Sequence, residues 1–508
     1  MKLKIWLGRI IPLVIIALGE IVLYCNLFKW LTTSFVFIEI VLHILSILIV
    51  LNIVRTSRHL SSDLMWIILI MLFPVFGTFV YVLMLLSLLF GKTFRNIIKE
   101  QKKASSYYIQ DESIIDEIRN DNPDYVSQLA FLHEEGFPIY RNTDFEYYAP
   151  CENGFNVMLE ELKKAENYIF MEYFIISEGY LWDTVLEILK EKAAAGVDVR
   201  VIYDDFGCVT TLPYQYYKSL QQMGIKCAAF NQFRPVLNVI LNNRDHRKIA
   251  VIDGHTAFTG GINLADEYIN RKERFGHWKD SGICLHGEAV WSFTVMFLQM
   301  WSTITGMECN FESYRPEIYH EEAFKKDGFV QPYGDSPLDG ETVGEHVYLN
   351  IISQAKKYLY IFTPYLIPDN ETLTALCMAA KRGVDVRIVT PGIPDKKIVY
   401  ILTQANYEIL LESGVQIYQY TPGFIHSKSF VCDDEVATVG TINMDYRSMY
   451  LHFECGVWMY GSSAVAQVKE DALTTFEQCE QINMDYCRKK NFAVRALRGA
   501  LKFLAPLL

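Results

Sequence analysis

The chain has 508 residues, of which 51% are hydrophobic and 21% charged, and its formal net charge is −12. This length exceeds one ordinary core, and the composition excludes wholesale disorder. The acidic balance argues against general nucleic-acid binding, which needs clustered Lys and Arg. The 11 cysteines are odd in number and scattered without a CxxC pair, which favours reduced thiols over disulfides or zinc binding.

Long apolar runs occupy the N-terminal part of the chain, at residues 10–31, 35–54 and 65–90. About 20 apolar residues span a bilayer, so the runs predict a helical membrane anchor over residues 1–91 rather than a cleaved signal peptide. Basic residues precede the first run and follow the second. By the positive-inside rule, the N-terminus and the chain from residue 55 onward are expected in the cytoplasm of a multi-pass protein.

The third run is basic on both sides and carries Pro74 and Gly77 near its middle. This pattern favours a hairpin or an interfacial insertion that returns to the cytoplasm, whereas a third crossing would put the rest of the chain outside. Residues 92–140 are predicted as a juxtamembrane linker. At the other end, residues 495–508 mix Arg, Lys and Leu at helical spacing, which fits an interfacial helix or an ordinary closing helix.

From about residue 125 the chain becomes mixed α/β and contains an internal repeat. The runs YIFMEYF at 168–174 and YIFTPYL at 360–366 suit buried strands. Each is followed by a helical pattern that stops at the Gly of the same five letters, GVDVR. A further pair of similar runs, GIKCAAF at 224–230 and GVQIYQY at 414–420, follows in each copy.

Alternating strands and helices in both copies predict an α/β fold. We expect two duplicated domains with mixed sheets covered by helices, related by a pseudo-twofold axis and preceded by the membrane anchor. The predicted boundaries are 141–330 for the first domain and 331–508 for the second. Such repetition by itself says nothing about chemistry.

Each copy ends in the spacing HxKxxxxD, followed by a Gly-rich turn that contains Asn. The motif residues are His246, Lys248, Asp253 and Asn263 in the first copy and His426, Lys428, Asp433 and Asn443 in the second. His and Lys at positions i and i+2 of a strand point the same way. Two such strands in a pseudo-twofold pair would gather two His, two Lys and two Asn around one point.

That array suits a phosphodiester. Lysine charges hold the phosphoryl oxygens, amide groups donate to them, and one imidazole attacks phosphorus while the other protonates the leaving oxygen. A single His-x-Lys would be uninformative, and duplication could preserve the spacing as inherited scaffold. Two intact copies favour function, because buried strands rarely carry an unpartnered Lys.

These motifs are the HKD motifs of the phospholipase D superfamily, which the chain resembles. Within it, other stretches are similar to bacterial cardiolipin synthases: FPVFGTFVYVL at 73–83, IYDDFG at 202–207, HWKDSG at 277–282 and NMDYRS at 443–448. The similarity covers nearly the whole chain and is weakest over residues 93–140. Gly261 departs from the pattern, since the family often has Ser there, while Thr441 keeps a hydroxyl in the second copy.

The resemblance implies phosphatidyl transfer between two phosphatidylglycerol molecules, giving cardiolipin and glycerol through a phosphatidyl-histidine intermediate at the cell membrane. It implies His246 as nucleophile and His426 as acid and base. The lysines are implied to take part in catalysis, whereas Asp253 and Asp433, grouped with them as motif members, are expected to support strand and turn. No metal, cofactor or nucleic acid is implied, and phosphatidylglycerol and other anionic phospholipids are the expected partners.

The resemblance also implies roles around these histidines. The residues expected to contact substrate are Asn263, Asn443, Gly261 and Thr441, and those expected to orient His246 and His426 are Asp280 and Glu454. A phospholipase D-type hydrolase acting on phospholipid or nucleic acid is the first alternative, and a non-catalytic membrane scaffold is the second. The second lipid substrate, which histidine attacks first, the acyl preference and the oligomeric state stay open.

Overall fold

The computed structural model describes residues 36–56, 60–90, 92–121, 123–232, 243–316, 324–325 and 327–488, together with positions 22, 26, 498–499, 501–502 and 505. The rest of the predicted apolar run at 10–31 and of the C-terminal stretch at 495–508 lies outside the described residues; in the described part of that stretch, Leu501 and Ala505 pack with Leu402.

The N-terminal part forms a small helical unit. Its helices are α1 (Val36–Thr56), α2 (Leu60–Leu72) and α3 (Pro74–Phe90). The third apolar run is broken at Pro74, and α3 folds back on α2, with the rings of Trp66 and Tyr81 5.4 Å apart. A Cβ atom at Gly77 would lie 2.7 Å from a backbone oxygen of α2, so this close approach needs glycine. The run is therefore a helical hairpin. Among the described residues, no helix combines the length and apolar character needed to cross a membrane.

Residues 92–140 are not a linker, contrary to the prediction. They form α4 (Lys92–Ala104), α5 (Glu112–Asp121) and α6 (Pro123–Glu134). These helices bury Ile97, Ile115 and Ile118 in the cores of the following domains. The indole N–H of Trp458 also donates to Gln128 Oε1 at 3.0 Å. Because their apolar faces are covered by the α/β body, the segment belongs to that body.

The first repeat forms a mixed sheet. Its strands are β1 (Thr143–Tyr148), β2 (Tyr168–Tyr173), β3 (Asp198–Asp204), β4 (Lys226–Phe230), β6 (Lys248–Ile252), β7 (Thr256–Gly260) and β9 (Gly282–Gly287). Two further short strands of this repeat, β5 (Arg244–Asp245) and β8 (His277–Lys279), lie outside this sheet. Its helices are α7 (Cys151–Lys164), α8 (Tyr180–Ala194), α9 (Tyr216–Gln222) and α10 (Val290–Thr305). Within the part of the chain described, the sheet order is β1-β9-β7-β6-β2-β3-β4.

The second repeat has the same plan. Its strands are β10 (Phe329–Asp335), β11 (Tyr358–Phe362), β12 (Asp385–Pro391), β13 (Gln416–Tyr420), β14 (Gly423–Ile425), β15 (Ser429–Cys432), β16 (Val436–Gly440), β17 (His452–Tyr460) and β18 (Cys479–Ile482). Its helices are α11 (Val343–Gln354), α12 (Asn370–Lys381), α13 (Lys397–Ala405), α14 (Tyr407–Glu412), α15 (Tyr446–Tyr450), α16 (Ser463–Phe476) and α17 (Met484–Arg488).

The order of the second sheet, β10-β17-β16-β15-β11-β12-β13-β18, repeats the first strand for strand and adds β18 at one edge. Duplication of the α/β unit, predicted from sequence, is therefore present. One detail differs from expectation: β11 ends at Phe362, four residues before the end of the predicted strand at 360–366, because Pro364 cannot continue the ladder. A core shared by both sheets surrounds α10, which is buried along most of its length.

Candidate active site

Two short strand pairings bring the motifs of the two repeats together. β5, immediately before His246, runs parallel to the start of β17 in the second repeat, and the His246 N–H donates to the carbonyl of Phe453 at 2.9 Å. β14, immediately before His426, runs parallel to β8 in the first repeat, and the His426 N–H donates to the carbonyl of Lys279 at 2.7 Å. Each motif histidine is thus held against a strand of the opposite repeat.

The carboxylates that contact the two imidazoles come from opposite repeats. Nδ1 of His246 lies 2.8 Å from Glu454 Oε1 and 2.9 Å from Oε2, and Nδ1 of His426 lies 2.8 Å from Asp280 Oδ2. Both carboxylates are fully buried. The pairing is crossed, which the sequence did not predict. A carboxylate at Nδ1 favours the tautomer whose Nε2 carries the lone pair, so each imidazole presents Nε2 to the site.

The two motif lysines are buried cations beside these imidazoles. Each donates to the backbone carbonyl of its own motif histidine, Lys248 to His246 and Lys428 to His426. Burial lowers the pKa of Lys248 to about 8 and that of Lys428 to about 7. Buried positive charge of this kind is relieved by a bound anion.

The two motifs act on each other electrostatically. Burial lowers the pKa of His246 well below its usual value, and the charges of Lys248, Lys428 and His426 lower it further. Burial, and then Lys428, lower the pKa of His426 to about 4, against the opposing effect of Asp280. The residues of both repeats therefore share one electrostatic environment, although β6 and β15 belong to separate sheets.

The two orienting carboxyl groups differ from each other. Burial raises the pKa of Glu454 well above its usual value, and Lys248 opposes this only in part. Burial also acts to raise the pKa of Asp280, but His426 and Lys428 outweigh it and the pKa is lowered. Asp280, which contacts His426, therefore stays ionised more readily than Glu454, which contacts His246.

The motif aspartates do not join the site. The carboxylate of Asp253 accepts three backbone N–H bonds from residues 166–168, at 2.7–2.8 Å. Asp433 accepts the equivalent three bonds from residues 356–358, at 2.6–2.8 Å. Both follow their motif strands at the end opposite the lysines. Their inclusion with the catalytic residues is corrected, and their contacts are those of the expected supporting role.

Asp253→Asn should lower the midpoint of thermal unfolding by about 2–5 °C, measured on purified protein in detergent. One carboxylate oxygen becomes an amide N–H that faces a backbone N–H, at a cost of about 2–4 kcal/mol. Asp433→Asn should behave alike because its contacts are equivalent. The matched control is Asp183→Asn, an exposed position in α8, with a shift near zero. Equal midpoints for Asp253→Asn and the control would contradict this role.

The hydroxyl predicted to contact substrate instead contacts a carboxylate. Thr441 Oγ1 donates to Glu454 Oε2 at 2.5 Å. In the first repeat, a Cβ atom at Gly261 would lie 1.9 Å from Asp280 Oδ1, so this position has no space for a side chain. Both predicted substrate contacts are corrected: Thr441 holds Glu454, and Gly261 makes room for Asp280.

The two asparagines are not equivalent in their contacts. Asn263 accepts from the backbone N–H of Ile175 at 3.0 Å and donates to the hydroxyl of Tyr268 at 2.7 Å. Asn443 is buried, and its Oδ1 atom makes no hydrogen bond. Asn263 is therefore engaged in fixing the polypeptide around the site, whereas Asn443 keeps an uncommitted polar atom.

Sequence reasoning missed several buried charges beside the motifs. Arg247 contacts Glu172 at 2.5 Å and Asp245 at 3.2 Å, on the side of the chain away from His246 and Lys248. A charged residue inside the apolar run YIFMEYF was the available signal for Glu172. Sequence reasoning also missed Arg244 on β5 and His452 on β17. The available signal was that each lies two residues before a site residue, His246 or Glu454.

One group near the site has the donor types of a metal centre. His246, His452 and Glu454 offer ligand atoms that all lie within 4.8 Å of one another. Lys248 and Arg244 are buried beside this group, and their positive charges oppose a divalent cation. We therefore assign no metal to it.

Comparison with known proteins agrees with this architecture. The family described as "Cardiolipin synthase, PLD-like domain" matches residues 158–301 and 348–475, and the family described as "Phospholipase_D-nuclease N-terminal" matches residues 44–84. Cardiolipin synthase 2 of Bacillus cereus is 35% identical over 467 residues, covering 89% of this chain and 88% of that protein. An uncharacterized protein of Streptococcus mutans is 44% identical, covering 90% of this chain and 99% of that one.

A solved structure supports the fold. The crystal structure of phosphatidylserine synthase from Haemophilus influenzae superposes with a TM-score of 0.57 at 17% identity, covering 75% of this chain and 97% of that chain. The relatives are matched along most of their length, and the family match spans both repeats. The chain therefore belongs to the bacterial cardiolipin synthases of the phospholipase D superfamily and is a phosphatidyltransferase.

Proposed function

We propose that this enzyme transfers a phosphatidyl group between two phosphatidylglycerol molecules, giving cardiolipin and glycerol through a phosphatidyl-histidine intermediate. The observation that carries the proposal is the crossed pair of imidazole–carboxylate contacts, His246 with Glu454 and His426 with Asp280, beside two buried lysines. Two oriented imidazoles and two cations from two repeats match a reaction with two successive displacements at one phosphorus atom.

In the first displacement, Nε2 of His246 attacks the phosphorus of the donor lipid. The bond from phosphorus to the glycerol headgroup oxygen breaks, and that oxygen takes a proton from Nε2 of His426. Lys248 and Lys428 neutralise the charge on the phosphoryl oxygens as it develops. Glycerol leaves, and the phosphatidyl group stays on His246.

In the second displacement, the terminal hydroxyl of another phosphatidylglycerol attacks the phosphatidyl-histidine. His426 now accepts the hydroxyl proton, and the phosphorus–nitrogen bond breaks. The diester formed resembles the diester broken, so the exchange needs no nucleotide and no added energy source. Water entering in place of the lipid would give phosphatidic acid.

Substrate binding prepares the proton donor. In the free site, burial and Lys428 hold the pKa of His426 at about 4, so its imidazole is neutral near pH 7. A phosphodiester anion between the lysines offsets their charge and raises that pKa toward its usual value. His246 has a lowered pKa in the free site and is neutral, which is the form a nucleophile needs.

The rate at low substrate concentration should fall as pH rises through about 7–8. Lys428 and Lys248, with pKa values of about 7 and about 8, are charged below this range and neutral above it, so the phosphodiester loses its counter-charge. The measurement is kcat/KM for phosphatidylglycerol against pH, which reports groups of the free enzyme. A value that holds constant up to about pH 9 would contradict the lysine role.

Lys428→Arg provides the matched comparison. A guanidinium does not lose its proton in this range, so the alkaline fall should move toward the higher pKa of Lys248. We expect kcat/KM to fall at a higher pH than in wild type. Its maximum should be lower, because an arginine does not reproduce the lysine geometry. An alkaline fall at the same pH in both proteins would assign it to another group.

We place this reaction at a membrane. Helices α1–α3 and the turn between α2 and α3 expose many large apolar side chains, including Ile44, Leu48, Leu51, Met71 and Phe73. So many exposed large apolar side chains in one small helical unit are typical of lipid contact. Anchoring there supplies acceptor lipid at high local concentration, which favours transfer over hydrolysis. The multi-pass topology and a cytoplasmic catalytic body stay predictions.

Product analysis tests the proposed function. Purified enzyme in mixed micelles with phosphatidylglycerol should convert two lipids into one cardiolipin and one free glycerol. Thin-layer chromatography measures the lipid products, and a glycerol assay measures the glycerol. Phosphatidic acid without cardiolipin would establish the hydrolase instead. No lipid product from wild type, with a nucleic acid cleaved, would establish the nuclease.

A further inference from the structure

The two flanks of the active site are built on the same backbone pattern. On one flank Arg244 lies opposite His452 in the β5–β17 pairing, two residues before His246 and Glu454 respectively. On the other flank Phe424 lies opposite Trp278 in the β14–β8 pairing, two residues before His426 and Asp280. Residues two apart on a strand share a face, so each pair lies beside one motif histidine. We call them the polar rung, Arg244–His452, and the aromatic rung, Phe424–Trp278.

The two rungs differ in chemistry. The rings of Phe424 and Trp278 are 4.8 Å apart and belong to an apolar cluster with Ala265 and Tyr268. In the polar rung, both ring nitrogens of His452 lack hydrogen-bond partners, and Nη1 of Arg244 has only the ion pair with Asp204 at 3.5 Å. These side chains are only 4% and 10% exposed. Buried polar atoms without partners cost free energy, so this rung has the character of a binding site.

The charges around the polar rung select an anion. The nearest carboxylate oxygens are 3.5 Å from Arg244, on Asp204, and 3.9 Å from Nδ1 of His452, on Glu454. Facing the imidazole of His452 are also the cations Arg447, Lys248, Arg244 and Lys396, which together with burial lower its pKa well below the usual value. A neutral imidazole among cations donates a hydrogen bond to an anion without adding charge.

We propose that the polar rung binds the phosphodiester of the acceptor lipid. This rests on the proposed transfer between two phospholipids and names the place of the second one. Two phosphates meet in that reaction: one undergoes substitution at phosphorus between the lysines, and the other does not react. The rung lies two residues along the strand from the histidine, about 7 Å, which is the scale of the glycerol bridge between the two phosphates of the product.

A second phosphate site also discriminates between acceptors. Water and simple alcohols carry no phosphate and gain nothing from the polar rung. A phospholipid acceptor gains the hydrogen bonds of Arg244 and His452, which are left unpaired when the acceptor lacks a phosphate. The rung therefore biases the phosphatidyl-enzyme toward lipid.

The test measures how the phosphatidyl-enzyme divides between two acceptors. Wild type and His452→Gln receive phosphatidylglycerol in mixed micelles together with a fixed concentration of ethanol. Cardiolipin reports the lipid acceptor and phosphatidylethanol reports the phosphate-free acceptor. The ratio of cardiolipin to phosphatidylethanol should fall about tenfold in His452→Gln, and further in Arg244→Gln, because the guanidinium makes the stronger bond to an anion.

The matched control lies on the other flank. Trp278→Phe alters the aromatic rung at the position equivalent to His452, and it should leave the ratio within about twofold of wild type whatever its total turnover. A ratio that is unchanged in both His452→Gln and Arg244→Gln overturns the inference, as does an equal change in Trp278→Phe. Arg244→Lys, which keeps the charge beside Asp204, covers the case in which Arg244→Gln does not fold.

Failure of the inference and failure of the proposed function are distinguishable. If wild type makes cardiolipin but its product ratio does not respond to the polar rung, only the inference is lost. If wild type makes phosphatidic acid or phosphatidylethanol and no cardiolipin, the proposed function is lost as well.

Discussion

Replacing His246 with Gln should lower cardiolipin formation by about 10⁴-fold or more, since no other group can form the covalent intermediate. Replacing His426 with Gln should lower it by about 10²–10⁴-fold, because proton transfer is lost but the nucleophile stays. The difference shows with a phosphatidyl ester of nitrophenol, whose leaving group needs no proton. The first-turnover burst of nitrophenolate should recover in His426→Gln and stay absent in His246→Gln, since later turnovers still need His426 to accept the acceptor's proton.

Glu308→Gln, an exposed position after α10, is the control for this pair and should match wild type in both assays. Nitrophenolate release from both histidine variants at the same low rate would mean that the roles are not divided in this way. Recovery of nitrophenolate release in His246→Gln alone would mean that His426 is the nucleophile and His246 the acid.

Glu454→Gln and Asp280→Asn should each lower cardiolipin formation by about 10²–10⁴-fold. In both, a carboxylate that fixes the imidazole tautomer becomes an amide whose N–H can donate to Nδ1, and the proton then moves to Nε2. Glu454 contacts the proposed nucleophile and Asp280 the proposed acid. With the nitrophenyl ester, the first-turnover burst should therefore recover in Asp280→Asn and not in Glu454→Gln.

This pair tests the crossed contacts directly. If each carboxylate served the histidine of its own repeat, the pattern would reverse, with recovery in Glu454→Gln. Both variants must first keep the thermal unfolding midpoint of wild type within a few degrees, since each removes a fully buried carboxyl group. Circular dichroism during heating checks this before the kinetic assays.

Local sequence patterns were sufficient to predict most of the fold of the α/β body. The repeated GVDVR letters and the flanking apolar runs predicted two copies of one α/β unit, and the two sheets have the same strand order. Pro74 and Gly77 predicted the hairpin of α2 and α3, because a proline breaks a helix and a glycine allows close packing. These features depend on residues near one another in the chain.

What could not be predicted depends on contacts between distant residues. The exchange of β5 and β14 between the repeats is set by tertiary packing, and it decides that Glu454 meets His246 and Asp280 meets His426. The role of Thr441 follows from the same placement, since its hydroxyl meets Glu454 before it can meet substrate. The helices at residues 92–140 were read as a linker because their polar residues hid short apolar faces that only a neighbouring domain covers.

Mapping the covalent intermediate tests the central claim most directly. Enzyme mixed with the nitrophenyl ester and quenched under alkaline conditions, which preserve phosphohistidine, is digested and read by mass spectrometry. The account predicts a phosphatidyl group on the peptide that contains His246, formed also in His426→Gln and absent from His246→Gln. A modified His426 in wild type, or turnover with no modified histidine at any time, would contradict it.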